Sequence, residues 1–405
     1  MPLVESGGAP PRETLPVKRA VLALFILAHT AILFLMPRTP AFQVEIFRGY
    51  ADRIFAGEVP YADFAYEYPP LSLLTLLLPR AFTGDPEAYA SLFGAEMLVF
   101  NIVILVALYR IGLKAVVLYG VAMLLFWRLP YIRHDLVPVA AATLGTVALL
   151  RGRALLSAVL WGAGGALKLY PMVAVPTLAC GAGLLETARR WTVAGAVFGA
   201  GIAWGFVAFG PDVVYLFDYH ADRPAMIEST PANIQLLLPG SDVVLAFGSY
   251  NVIGPFGNPL VGLFDVLQLA AVAVALAVCL WQGRSAPPGV GVARGAAAAT
   301  FAFAVFGKVL SPHFLFWPLP LLAIATALRG LRMPRATWAL FFAAIALTTA
   351  MNEQYHTIQE DLPYFTAMLT ARNLLLIPLF ALMLLRPKEG EGDQQEKPPG
   401  ERGVE

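Results

Sequence analysis

Long apolar blocks constrain this chain more than any other feature. Stretches near 21–36, 88–109, 115–131, 136–150, 154–170, 171–187, 191–209, 259–281, 295–312, 313–328, 336–351 and 365–385 carry little charge and do not alternate. A bilayer core about 30 Å thick takes roughly 20 apolar residues per helix at 1.5 Å rise. The expected fold is an all-α polytopic membrane protein of about twelve transmembrane helices, because only helices and closed barrels satisfy their backbone in lipid. With 58% hydrophobic and 14% charged residues, the chain lies far from the roughly 25% charge of a soluble domain, which excludes a soluble globular enzyme. Its 28 basic and 27 acidic residues leave no excess of positive charge for a nucleic-acid backbone. Cys180 and Cys279 sit in separate apolar blocks, too few and too far apart for a disulfide scaffold or a metal knuckle. The 21–36 block reads as a first span rather than a cleaved signal, since Pro37-Arg38-Thr39-Pro40 follows it in place of a small-residue cleavage site.

Basic residues set the expected orientation. Lys18-Arg19, Arg110 with Lys114, Arg151 with Arg153, Arg189-Arg190, Arg284 with Arg294, Arg329 with Arg332 and Arg335, and Arg386 with Lys388 mark alternate connectors. Placed in the cytoplasm by the positive-inside rule, they put both termini inside and the loops 37–87, 210–258 and 352–364 outside. The scheme closes if 69–82, bounded by Pro69-Pro70 and Pro79-Arg80, is re-entrant or interfacial rather than spanning. Residues 1–17 and 388–405 read as disordered cytoplasmic ends flanking a transmembrane domain over 18–387. In the first outer loop, Phe42, Ile46, Phe47, Ile54 and Phe55 oppose Glu45, Arg48, Asp52 and Arg53, the pattern of an amphipathic helix lying in the headgroup plane.

Ionisable residues inside apolar blocks are costly and therefore candidates for function. Arg128, Arg133, His134, Asp135, Lys168, Lys308, His313 and Arg372 all fall at the outer ends of their spans under this topology. Individually each could snorkel to the interface; together they suggest one water-accessible cavity. Lysine as a point charge and arginine as a bidentate fork suit a phosphate or pyrophosphate, with Asp135 orienting Arg133 or holding a cation. Trp127, Tyr131, Tyr170 and Trp317 suit a sugar-bearing or lipid-linked ligand, or form an ordinary aromatic belt. Two loop segments add carboxylates among aromatic rings: Pro60-Tyr61-Ala62-Asp63-Phe64-Ala65-Tyr66-Glu67-Tyr68-Pro69-Pro70, and Asp218-Tyr219-His220-Ala221-Asp222-Arg223-Pro224 leading into Ile227-Glu228-Ser229. Rings can pack on sugar faces while acids bind hydroxyls or move protons. No Walker A run, His-Glu-x-x-His or Gly-x-Ser-x-Gly pattern occurs.

At these residues the chain resembles the membrane-embedded GT-C glycosyltransferases, and within them the actinobacterial polyprenyl-phosphate-mannose-dependent mannosyltransferases that include the phosphatidylinositol mannoside enzymes. The resemblance spans most of 18–385. It rests on Gly57-Glu58-Val59-Pro60-Tyr61-Ala62-Asp63-Phe64 with Glu67-Tyr68-Pro69-Pro70, Arg133-His134-Asp135, Lys168-Leu169-Tyr170-Pro171, Asp222-Arg223-Pro224 with Ile227-Glu228-Ser229, and Gly307-Lys308-Val309-Leu310-Ser311-Pro312, taken in order. It implies a polyprenyl-phosphate-sugar donor, a lipid or glycan acceptor, catalysis on the extracytoplasmic side of the cell membrane, inverting displacement, one loop carboxylate as general base, and no cofactor or essential metal. The candidate catalytic acids are Glu45, Asp63 and Glu67, in that order, Glu67 being the one better suited to orienting the loop. The candidate binding residues are Arg133, His134, Asp135, Lys168, Tyr170, His220, Asp222, Arg223, Glu228, Lys308, Ser311, His313 and Arg372. The sequence departs from the family pattern at Gln43, where the family's acid after the first span would fall and where a glutamine cannot act as base; Glu45 either takes that role or activity is lost. His313 likewise stands where the family usually has glutamine. A transporter or flippase of a lipid-linked saccharide and a non-catalytic glycolipid-binding relative are the alternative classes, although the repeated halves common in transporters are not apparent here.

Overall fold

A computed structural model describes residues 15–37, 41–283, 288–328 and 333–385. The expected disordered ends lie outside the described residues, apart from 15–17, as do the connector residues Arg284, Arg329, Arg332, Arg386 and Lys388. The described residues form seventeen α-helices and five short 3-10 turns, together with one small sheet. Among the described residues, five helices are long and apolar enough to cross a membrane: Leu15–Leu35, Pro86–Tyr109, Leu184–Phe209, Gly257–Gly283 and Leu362–Leu384. The remaining apolar helices are shorter. Leu113–Leu125, Leu136–Leu150 and Ala154–Leu167 have 13, 15 and 14 residues, about 20 Å each. Several are lengthened by 3-10 turns, as where Leu113–Leu125 is followed by Leu129–Tyr131, or where Pro176 tightens the helix begun at Pro171.

Local sequence explains these elements. Asp85 accepts a bond of 2.8 Å from the Ala88 amide, and Pro86 occupies the first helical position, so the Pro86–Tyr109 helix is capped and preset at its start. Tyr89, Phe93, Met97, Asn101, Ile104 and Leu108 recur at three- and four-residue spacing and form its buried stripe. Small residues let helices approach closely. A side chain at Gly162 would come within 2.3 Å of the Ala194 carbonyl, and one at Gly205 within 2.2 Å of the Pro70 ring, the close backbone packing typical of helices in lipid.

The connectors gather at two ends of the bundle. At one end Arg128 meets Glu353 at 3.1 Å, the Met226 amide donates to the Lys308 carbonyl at 2.9 Å, and Lys168 meets Asp135 at 2.7 Å. At the other, Gly289 lies against Leu150, Gly283 and Gly291 lie against Cys180, and Arg294 donates to the Met383 carbonyl at 3.2 Å. Arg294 differs from expectation: it lies within the helix Pro288–Val305 rather than in a connector, and it is buried among carbonyls at the end of the last helix. The segment 69–82 stays at the loop end. Its helix Leu73–Phe82 has 10 residues, about 15 Å; Tyr89 donates to the Leu76 carbonyl and Arg80 bonds Asp52 at 2.6 Å.

The 210–258 loop adds a feature to the all-α architecture. It holds an antiparallel sheet of β1 (Ala225–Met226), β2 (Asp242–Ala246) and β3 (Ser249–Ile253) in the order β1-β3-β2, with Val252 opposite both Ala225 and Val243. The β2–β3 hairpin turns through Phe247 and Gly248, at φ 52° and 64°, the left-handed pair that a two-residue hairpin requires. Tyr219 holds the strained residue by donating to its carbonyl at 2.9 Å.

Candidate functional site

Where the loops meet the helix ends, a cavity of about 860 Å³ opens between Phe42, Gln43, Glu67, Tyr68, Arg133, Lys168, Tyr170, His220, Arg223, Lys308, His313, Trp317 and Tyr355, among others. That volume is in the range of small-molecule sites. The turn at Lys168 comes from its neighbours. The helix Ala154–Leu167 ends there, Lys168 adopts an extended backbone, and Pro171 starts the next helix, so the chain bends and delivers the lysine into the cavity.

Asp135 organises one wall. It stands at the start of the Leu136–Leu150 helix, where an anion is favoured. One carboxylate oxygen accepts from Lys168 Nζ at 2.7 Å and from Trp317 Nε1 at 2.7 Å, and the other lies 3.2 Å from His313 Nε2. Trp317 stacks on Tyr170 with ring centroids 4.0 Å apart. The Lys168 ammonium also sits over Tyr68, Phe314 and Trp317 at 5.5, 5.1 and 5.5 Å, within cation–π range.

The opposite wall is built from the loops. Arg223 Nη1 lies 3.7 Å from a Glu67 carboxylate oxygen, and Arg223 Nη2 donates to Ser249 at 2.6 Å. His220 Nε2 lies 3.1 Å from the Glu67 carbonyl, and burial lowers its pKa below the ordinary 6.5, favouring the neutral ring. Lys308 donates to the Ala221 carbonyl at 2.7 Å. Arg133 donates through Nη1 to the Gln43 side-chain oxygen, while its Nε is buried without a partner.

Nine of the expected residues thus share the cavity: Glu67, Arg133, Lys168, Tyr170, His220, Arg223, Lys308, Ser311 and His313. Four stand behind its walls. His134 is buried between Phe47 and Tyr68, and Asp135 supports Lys168. Glu228 accepts from the Tyr355 hydroxyl, and Arg372 donates to the Glu228 carbonyl at 2.7 Å. Burial pushes the Glu228 carboxyl above its ordinary pKa.

Three expected residues are not brought there. Glu45 pairs with Arg48 at 2.8 Å on the outer face of the helix Phe42–Phe55. Two residues along a helix rotate a side chain by about 200°, so Glu45 cannot stand in for Gln43, which does face the cavity. Asp63 accepts from the Val59 amide at 2.7 Å and fixes an exposed turn. Asp222 is exposed beside, not within, the cavity lining. The loop aromatics also depart from expectation. Tyr61, Phe64 and Tyr66 are buried and pack edge-on with one another, leaving Tyr68 as the ring of that segment on the cavity wall. Trp127 and Tyr131 do not line it either; Tyr131 is bonded to His29 and Asn101.

Sequence reasoning missed Asp265, Gln268, Tyr355 and His356, all on the cavity wall. Asp265 was discoverable as the sole acid in the 259–281 block, by the same cost argument applied to the other buried charges. Among the described residues, no group of three or more His, Cys, Asp or Glu could hold a metal ion. No known protein family and no curated protein matches this chain.

Proposed function

We propose that this protein is an integral membrane glycosyltransferase that moves a sugar, mannose by the resemblance, from a polyprenyl-phosphate donor to a lipid or glycan acceptor. The observation that carries the reading is the clustering of Arg133, Lys168, Arg223 and Lys308 around one cavity with Glu67 and the stacked Tyr170–Trp317 pair. Such cations suit a phosphate leaving group, whose developing charge they would stabilise, and the rings offer apolar faces to a sugar. In this reading Glu67, rather than Glu45 or Asp63, takes the acceptor hydroxyl proton. The acceptor oxygen attacks the anomeric carbon from the face opposite the phosphate, and the carbon–oxygen bond to phosphate breaks with its electron pair going to the phosphate. About twelve spans, with the cavity on the extracytoplasmic side of the cell membrane, fit the basic residues described at the opposite end of the bundle, Arg151 beside Leu150 and Arg190 on the Leu178 carbonyl.

The test is transfer from labelled polyprenyl-phosphate-mannose. Glu67→Gln should lose about 10²–10⁴-fold in rate while retaining donor binding, and Glu45→Gln and Asp63→Asn should transfer at near the unmodified rate. Full activity in Glu67→Gln refutes the assignment of the base; label that crosses the bilayer without being transferred supports a transporter instead. A non-catalytic glycolipid-binding role is a second reading, favoured by one observation: the side chain that faces the cavity where the resemblance calls for an acid is the amide of Gln43.

A further inference from the structure

The cations around the cavity are held in different ways. Lys168 is paired with Asp135 at 2.7 Å and Arg223 with Glu67 at 3.7 Å. Lys308 lies in the field of Asp265 and of the exposed Asp222, and Arg372 in that of Glu228, whose own carbonyl it binds. Arg133, like Lys308 and Arg372, has no carboxylate within ion-pair distance among the described residues; it is bonded to a neutral amide oxygen, its Nε is buried without a partner, and Glu228 reaches it only through its field. The nearby carboxylates are engaged elsewhere. Asp135 is already shared by Lys168, Trp317 and His313, and Glu228 stands behind the Tyr355 hydroxyl.

We infer that Arg133, held by Gln43, is the seat for a phosphate group in this cavity, and that residue 43 sets the charge of that seat instead of abstracting a proton. An amide oxygen fixes the guanidinium with one hydrogen bond and takes none of its charge. Its remaining donors are left for an anion, which Arg recognises with paired N–H groups. A carboxylate at the same place would form the ion pair itself and compete with the ligand. The inference rests on the reading that the cavity takes a phosphate-bearing ligand, but it makes the opposite demand on residue 43 from a catalytic-base reading.

The experiment uses the full chain in detergent and titrates dodecyl phosphate, with inorganic phosphate as competitor. Gln43→Glu should weaken dodecyl phosphate binding at least about tenfold, as should Arg133→Met, whereas Gln43→Met, which removes the hydrogen bond but adds no charge, should lose clearly less than Gln43→Glu does. Inorganic phosphate that fails to compete identifies a lipid headgroup as the ligand, and equal competition identifies the free ion; either is consistent with the seat. Three results overturn the inference: no binding by the unmodified protein, undiminished binding by Gln43→Glu, or an equal loss in Gln43→Met. Sugar transfer by the same variants separates the two proposals. If Gln43→Glu gains transfer, residue 43 is a base position and the charge argument falls while glycosyl transfer stands. If no protein transfers sugar yet Gln43→Glu loses phosphate binding, the seat stands and glycosyl transfer falls.

Discussion

The Asp135–Lys168 pair should behave as one thermodynamic unit, and a double-mutant cycle can measure it. Their side chains are 2% and 13% exposed, so each charge has given up most of its water. Removing one partner of such a pair costs about 3–5 kcal/mol, because the other charge is left buried. Asp135→Asn should fall toward the lower end. Its amide can still accept from Trp317 and face His313, and the three aromatic faces around Lys168 contribute about 0.5–1 kcal/mol. Lys168→Met should cost a similar amount, since Asp135 retains only the Trp317 and His313 contacts. The double variant exchanges an ion pair for a neutral amide beside an apolar chain and should be far less damaged than the sum of the singles. The coupling expected is about 2–4 kcal/mol, favouring the pair. Equilibrium unfolding of the four proteins in mixed micelles at fixed pH gives the cycle. A coupling below about 0.5 kcal/mol, the level at which independent sites simply add, would show that Asp135 does not hold Lys168 and would remove the physical basis for placing that ammonium in the cavity.

Two further predictions follow from the loops. His220 has a pKa lowered by burial from 6.5, so unfolding takes up a proton once the pH falls below the unfolded value; stability should be full near pH 7.5 and decline on acidification through pH 6 and below, and His220→Gln should flatten that decline. An unchanged slope in the variant shows that His220 is not the group responsible. A cysteine introduced at exposed Asp218 should react with an impermeant thiol reagent added to intact cells, and one at exposed Arg153 should not; the reverse labelling inverts the topology and places the cavity in the cytoplasm.

Much of the fold was legible because lipid imposes a simple rule on composition: runs of 18 or more apolar residues have few soluble explanations. The hairpin from Asp242 to Ile253 was not. Its Val243-Val244-Leu245 and Tyr250-Asn251-Val252-Ile253 segments carry a β-branched signal with Phe247-Gly248 as turn, but short strands are easily passed over between long apolar blocks. The cavity cations were legible for the same reason as the spans, since Lys168 and Arg133 stand out against apolar neighbours. The acid proposed as base was harder. Glu45, Asp63 and Glu67 are chemically alike in sequence, and what separates them is direction: an outward helix face, a turn capped by its own carboxylate, and a cavity wall. Which way a side chain faces depends on tertiary contacts such as those of Tyr66 with Ser72 and of Ser72 with the Pro69 carbonyl, which fix the loop only once the fold exists.

The contact between Gly205 and Pro70 ties the loop that carries Glu67 to the helix Leu184–Phe209. The helix Leu184–Phe209 has 26 residues, about 39 Å, of which the first turns carry Glu186, Arg189 and Arg190, so the apolar part from Trp191 onward is close to a hydrocarbon core of about 30 Å. Much of its surface faces outward, with Leu184, Leu185 and Val207 86–93% exposed, while Ala194 and Gly201 hold it against the helix Ala154–Leu167. Near its other end the helix backbone bears directly on the Pro70 ring, with no side chain between to absorb a shift. Pro70 lies three residues beyond Glu67 in a stiff Pro-Pro turn. Any shift of this helix therefore reaches the cavity carboxylate through a single backbone contact, and a larger residue at position 205 would move the site without touching it.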